Sequence, residues 1–214
     1  MIFTAKTLWE GRWPIIGASV LLAATWLWCR WWPALFVPLV LLGFVLWFFR
    51  DPPRAAPGDP GLIVAPADGR VIEIATVHEP LYFQGHATQV GIFMSIFNVH
   101  VQRAPVDGRV VLVRHSPGRF LDARRPDAVG VNENRFIGVA GDDGARYAVR
   151  QVAGLIARRI VGWRGEGDRV TKGERIGMIR FGSRVDLLVP TNCEIRVRVG
   201  DRVKGGESVV AERK

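Results

Sequence analysis

The sequence predicts a mainly β protein, a sandwich or barrel, preceded by an N-terminal α-helical hairpin that lies in a membrane. Three observations carry this expectation. The first 50 residues hold two apolar stretches in tandem; the rest of the 214-residue chain breaks into about ten short strand-like segments between Gly, Asp and Pro turns; and two turn motifs each occur twice.

In chain order, Trp13 to Cys29 is a 17-residue stretch without a charge and Trp31 to Phe49 a 19-residue one, separated by Arg30. A membrane-spanning helix needs roughly 17–25 residues, and Pro33 and Pro38 in the second stretch are tolerated there. Tandem stretches, with no small-residue cleavage site closing the first, do not fit a signal peptide. Lys6 and Arg12 precede the pair and Arg50 and Arg54 follow it, so the positive-inside bias puts both ends in the cytoplasm. Tryptophans from Trp9 to Trp47 sit mostly toward the ends of the segments, where headgroups favour an amphipathic ring. Residues 1–50 are therefore assigned to a membrane hairpin, spanning or re-entrant, on the cytoplasmic face of the cell membrane. Residues 51–60, with Pro52, Pro53 and Pro57, are a stiff linker, and 61–214 form the β domain.

Within that domain the expected strands are Leu62–Val64, Val71–Ile74, Gln89–Val101, Arg109–Val113, Phe136–Val139, Tyr147–Val161, Arg175–Ile179, Val185–Val189, Ile195–Val199 and Ser208–Ala211. A helical period is weakly present only over Val152–Ile160. PADGRV at Pro66–Val71 is echoed by PVDGRV at Pro105–Val110, and GDRVTKGE at Gly167–Glu174 by GDRVKGGE at Gly200–Glu207. The second pair resembles the turns of biotinyl and lipoyl carrier domains, which points to a barrel-sandwich fold. A carrier presents a lysine between such turns; here the stretch holds Gly182-Ser183 and no lysine, which disfavours a membrane-anchored carrier or adaptor.

Composition narrows the partners. Cys29 and Cys193 make no disulfide framework and no cysteine-rich metal site, in keeping with a reducing compartment. The net charge of +9 is only partly on the hairpin, since residues 1–50 hold four basic and one acidic side chain. Anionic lipid headgroups attract such a surface, by roughly 1 kcal/mol per well-placed basic residue. No basic aromatic groove or recognition helix points to nucleic acid. A β-fold metallopeptidase would want a His-x-His pair, and two residues after His100 stands Gln102.

Chemistry is confined to a few residues. His100 lies in an apolar segment, whereas His78, His86 and His115 lie among turn and polar residues. Asp68 and Asp107 each precede a glycine, where a carboxylate commonly bonds nearby backbone, and spacing does not choose between them. In RFGSRVD, Arg180–Asp186, a Gly-Ser pair interrupts two apolar runs; it is either a bulge or a reactive peptide bond.

Together PADGRV, FNVHVQRAPVDG, QVAGLIARR and RFGSRVDLLVP, in this order, resemble the phosphatidylserine decarboxylases, in the short form with an N-terminal membrane hairpin. The resemblance covers essentially residues 50–199. It implies a self-processing carboxy-lyase that converts phosphatidylserine to phosphatidylethanolamine and CO2, using a pyruvoyl group made from Ser183 and neither a metal nor pyridoxal phosphate. It implies cleavage between Gly182 and Ser183 into chains 1–182 and 183–214 that stay together, with His100 as base for the Ser183 hydroxyl, oriented by Asp68, and as a candidate acid for reprotonation. Arg158 and Arg159 are candidates for gripping phosphate or carboxylate. Expected partners are phosphatidylserine and anionic membrane lipids; a homodimer is left open. The chain departs from the family pattern at Phe97, where several members have a histidine, at Arg184, where many have threonine or serine, and in the Arg- and Pro-containing segment from Gly118 to Asn134.

Overall fold

A computed structural model describes residues 3–28, 32–125, 127–155, 159–180 and 182–213. The chain divides into two compact units, Met1–Pro53 and Arg54–Lys214.

The first unit is a pair of helices. Helix α1 runs Ala5–Trp28, and a 3-10 turn at Trp32–Leu35 leads into α2, Phe36–Phe48. The ends are tied together: Thr4 Oγ1 donates to Asp51 Oδ2 at 3.0 Å, and Gly11 leaves the room into which the Phe49 ring packs. Arg12 and Arg50, near those ends, lie over the rings of Trp9 and Trp47. Trp13, Val20, Trp26, Phe36 and Val37 are all more than half exposed. Helix α1 starts well before the charge-free stretch and includes Lys6, Glu10 and Arg12, and α2 is only 13 residues, about 20 Å of helix. Among the described residues no helix is long and apolar enough to cross a membrane.

The second unit is mainly β. Its strands are β1 Leu62–Val64, β2 Gly69–Glu79, β3 Gly85–Met94, β4 Val101–Arg103, β5 Gly108–Ser116, β6 Asn134–Gly141, β7 Arg146–Val152, β8 Ile160–Gly162, β9 Arg169–Val170, β10 Arg175–Ile179, β11 Ser183–Val189, β12 Cys193–Ile195, β13 Arg202–Val203 and β14 Val209–Arg213. Eight of them form a curled antiparallel sheet in the order β13-β2-β3-β11-β7-β6-β5-β9, and two three-stranded sheets, β1-β14-β12 and β4-β10-β8, complete the unit. One face of the curled sheet, with Val71, Ile92, Ile137, Val149, Val185 and Leu187, makes the main core; Ala87, Phe136, Ala148 and Leu188 make a smaller cluster on the other. β11 lies between β3 and β7, and all seven of its residues are buried.

The echoed turns pair crosswise. Gly69 packs against the carbonyl of Phe93 and Gly108 against that of Ala140, where a Cβ would stand 2.3 Å from the oxygen in each case. Val71 N–H donates to Asp201 O and Val110 N–H to Asp168 O, at 2.9 and 2.8 Å. Asp68 Oδ1 accepts from Gly205 N–H, and Asp107 Oδ1 from Lys172 N–H, both at 2.8 Å. Each PxDGRV turn is thus locked to one GDRV turn, and the two halves of the unit repeat each other.

Several sequence expectations are adjusted by local chemistry. The Gln89–Val101 run breaks into β3 and β4 because Asn98 Oδ1 accepts from Ser95 N–H and Oγ–H, both at 2.8 Å, and makes a turn among apolar residues. Of Tyr147–Val161, Tyr147–Val152 and Ile160–Val161 are strand and Ala153 to Leu155 are neither strand nor helix; 156–158, within the weak helical period, lie outside the described residues. The described short helix, α3 at Ala128–Val131, falls instead in the Arg- and Pro-containing segment.

Candidate active site

Ser183 is the first residue of β11, and its side chain is fully buried. It pairs in register with Met94 at the end of β3, and its hydroxyl lies 3.5 Å from the Met94 sulfur. The amide nitrogen of Gln102 approaches the same sulfur at 3.5 Å and donates to the His100 carbonyl at 2.8 Å. Met94 and Gln102 therefore link the surroundings of Ser183 to those of His100. Behind them Gln102 Oε1 accepts from Gln151 at 2.8 Å, and Gln151 Oε1 accepts from Arg135, whose guanidinium pKa is pushed down by burial. A continuous polar track thus runs through an otherwise apolar interior.

The residue before the serine has the opposite character. Gly182 is half-buried and has φ +55, a left-handed conformation that glycine adopts at little cost. Its carbonyl lies against Gly154, just beyond β7: a Cβ on Gly154 would stand 2.3 Å from the Gly182 oxygen. Gly182 lines a pocket of about 260 Å3 together with Phe93, Ser95, Asp122, Arg124 and the exposed Leu155. The Gly182–Ser183 peptide therefore joins a half-buried residue that lines a pocket to a buried hydroxyl.

His100 is fully buried, with Nδ1 2.9 Å from the carbonyl of Asn98. A carbonyl only accepts, so a ring proton is at Nδ1, and the neutral form of the ring then has its lone pair at Nε2, where it can take up a proton. Its own carbonyl accepts from Ile179 N–H at 3.3 Å, which docks His100 on β10, the strand leading to Gly182. Asp68 is engaged by both guanidinium-facing oxygens with Arg54, at 2.9 and 3.2 Å, in addition to the turn contact with Gly205. It lines a second pocket of about 700 Å3 with Asn98, whose carbonyl holds the His100 ring. Arg54 is what separates Asp68 from Asp107, since both cap equivalent turns.

Arg159 is exposed, and its backbone carbonyl accepts from Arg180 N–H at 3.2 Å. Arg158 lies outside the described residues. Among the described residues no three His, Cys, Asp or Glu side chains stand close enough to hold a metal ion.

Comparison with known proteins gives the family of the chain. The family model for phosphatidylserine decarboxylase matches residues 41–211. A phosphatidylserine decarboxylase proenzyme of Symbiobacterium thermophilum is 48% identical over 200 residues, covering 92% of each chain. That of Syntrophus aciditrophicus is 46% identical over 90% of this chain and 89% of its own, and that of Nitrosomonas europaea 42% identical over 94% and 92%. The chain belongs to the phosphatidylserine decarboxylase family.

Two of its departures from the family pattern have a structural setting. Phe97 is 62% exposed and lines the larger pocket. Arg184 is buried under the sheet face opposite Ser183, with Nε 2.5 Å from Asp186 Oδ1 and a second ion pair to Glu73; Gly91 leaves the space its guanidinium fills. Burial raises the Asp186 pKa even against the charge of Arg184. Sequence reasoning about this phosphatidylserine decarboxylase missed Met94, Gln102, Gln151 and Gly154. Gly154 fell inside the run Tyr147–Val161 that the sequence reads as one strand, and nothing there set it apart.

Proposed function

We propose that the chain cuts its own backbone between Gly182 and Ser183, and that the new N-terminus decarboxylates phosphatidylserine to phosphatidylethanolamine. The observation that carries this reading is the Gly182 carbonyl, held against Gly154 in a left-handed turn directly before a buried serine. Ser183 Oγ attacks that carbon, the Gly182–Ser183 amide breaks, and an ester forms while the hydroxyl proton passes by way of His100 Nε2 to the departing nitrogen. Loss of the Ser183 Cα proton expels the Gly182 carboxylate, and water then replaces nitrogen, which leaves as ammonia. Residues 1–182 and 183–214 result.

The pyruvoyl group so formed supplies a ketone that holds the substrate amine covalently and takes up the electron pair left by CO2. It suits this position because Gly182, from which the converted Ser183 parts on cleavage, already lines the 260 Å3 cavity. His100, with Nδ1 facing the Asn98 carbonyl, then carries the proton returned to the product, and Asp68, ion-paired with Arg54, is the carboxylate assigned to orient it. Arg159 stays a candidate for the substrate's anionic groups. The crosswise turn pairing fits a barrel-sandwich domain.

The hairpin is read as a re-entrant anchor at the cytoplasmic face of the cell membrane. Its exposed tryptophans and aliphatic side chains favour lipid, Arg12 and Arg50 mark one end, and α2 is too short for the roughly 30 Å of a bilayer core. CO2 release from carboxyl-labelled phosphatidylserine tests the proposal: wild-type protein releases label and Ser183→Ala releases none. Release by the alanine variant would overturn it.

A further inference from the structure

The larger pocket has a wall of cations that the reaction described above does not use. Arg70 is the second residue of β2 and Arg202 the first of β13, and they stand directly opposite each other in antiparallel register. Like charges so placed destabilise a strand pair. Lys204, two residues on, extends the cluster along the same wall, and all three side chains are exposed to the pocket of about 700 Å3. None of the three has a carboxylate partner among the described residues, because the nearest acid on the wall, Asp68, is engaged by Arg54 and Gly205.

The repeat in the fold provides an internal control. In the other half of the unit Arg109 and Arg169 face each other in the same register. There both guanidinium groups are engaged: Arg169 is ion-paired with Asp142 at 2.6 Å, and Arg109 donates to the Gly167 carbonyl at 2.7 Å. The same backbone arrangement thus has its cations engaged by the protein on one side and left without a carboxylate partner on the side of the larger pocket. The cationic pocket shares Phe93, Ser95 and Arg124 with the pocket that Gly182 lines.

We propose that Arg70 and Arg202, supported by Lys204, form the binding site for the phosphodiester of the phospholipid substrate. This rests on the proposed decarboxylation. In a serine phospholipid only the ester oxygen and one methylene separate the phosphorus from the carbon that bears amine and carboxylate. A substrate amine at the position of Ser183 therefore needs its phosphate in an adjoining cavity, and two guanidinium forks match the two free phosphate oxygens. Exposed Phe97 on the same pocket offers an apolar ring toward the glycerol side of the lipid.

The test uses the full, self-cleaved chain in neutral-detergent mixed micelles at fixed ionic strength, with dihexanoyl phosphatidylserine as substrate. Arg70→Gln and Arg202→Gln are each expected to raise KM roughly tenfold, the loss of one charge-assisted contact, with kcat within about twofold. Self-cleavage proceeds as in the wild type and reports that the variants fold; Arg202→Lys, which keeps the charge, recovers part of the KM. Inorganic phosphate competes with substrate in the wild type and loses its effect in Arg70→Gln. An unchanged KM overturns the site. So does a loss confined to binding of phosphatidylglycerol vesicles, which would make the wall a general attractor for anionic surfaces. A wild-type chain that neither cleaves nor releases CO2 refutes the decarboxylase reading itself, a separate outcome.

Discussion

Gly154 and Gly182 meet backbone to backbone, so closely that a single methyl on Gly154 would stand 2.3 Å from the Gly182 carbonyl oxygen. The oxygen belongs to the peptide bond proposed to react. Gly154→Ala is therefore expected to displace that carbonyl and to let the uncut 214-residue chain accumulate, at an overpacking cost of about 1–3 kcal/mol. A time course on a denaturing gel, read beside a thermal melt, separates the two effects. Cleavage at the wild-type rate in a folded Gly154→Ala chain would show that the contact does not hold the carbonyl.

His100 presents Nε2 as the lone-pair nitrogen because its Nδ1 faces the Asn98 carbonyl. His100→Ala is expected to slow self-cleavage by roughly 10²–10⁴-fold, the range of a lost general base. Pulse-chase labelling of the uncut chain measures it; a variant that cuts at the wild-type rate removes His100 from the reaction.

These two positions were unequally legible in the sequence. His100 stood out as the histidine in an apolar segment, and Ser183 as the polar residue between apolar runs. Gly154 did not, because its role depends on a backbone 28 residues further on that folds against it, a relation with no local pattern. Met94 and Gln102 were hidden for a similar reason: in an apolar strand a methionine reads as core, and its sulfur becomes a partner for Ser183 only once β3 pairs with β11. The repeated turns were visible, but not that each PxDGRV turn pairs with a GDRV turn far along the chain, through Asp68–Gly205 and Asp107–Lys172. For the same reason β9 and β13, two residues each, read as turns.

Arg184 is paired to Asp186 beneath the sheet, and both side chains are almost wholly buried. Arg184→Thr leaves the carboxylate without its cation, and the expected cost is about 3–5 kcal/mol of folding stability. Adding Asp186→Val should recover most of it, since the site then needs no charge. Thermal unfolding of the single and double variants checks this; additive losses would contradict the pairing.

Residues 183–214 supply β11, whose seven buried residues sit between β3 and β7 of the other proposed product, and β14, which pairs with β1. The two products are expected to co-migrate in native electrophoresis and to separate only in denaturant. Separation on simple gel filtration would contradict the fold.

Arg213, in the smaller of the two proposed products, is ion-paired with Asp143 of the larger, 2.6 Å away, while Tyr147 donates to the same carboxylate at 2.6 Å. Burial pushes the Asp143 pKa up, but the hydrogen bonds from Tyr147, Ala145 and Arg213 outweigh it, and the net shift is downward. A depressed carboxylate stabilises the fold above the unfolded value, near 3.9, and that contribution is lost as pH falls through the lower folded value. The melting temperature of the cut protein should therefore fall on acidification below about pH 4, less steeply in Asp143→Asn. Asp186, raised by burial, acts in the opposite sense, but above the unfolded carboxylate value and so outside that window. An identical acid slope in Asp143→Asn removes this pair from the account.

The most direct test is the intact mass of the purified protein before and after treatment with phenylhydrazine. Two chains are expected, residues 1–182 and 183–214, the smaller blocked at its N-terminus and gaining one hydrazone. A single chain of 214 residues that takes up no phenylhydrazine would contradict the central claim that the Gly182–Ser183 bond is converted into the reacting group.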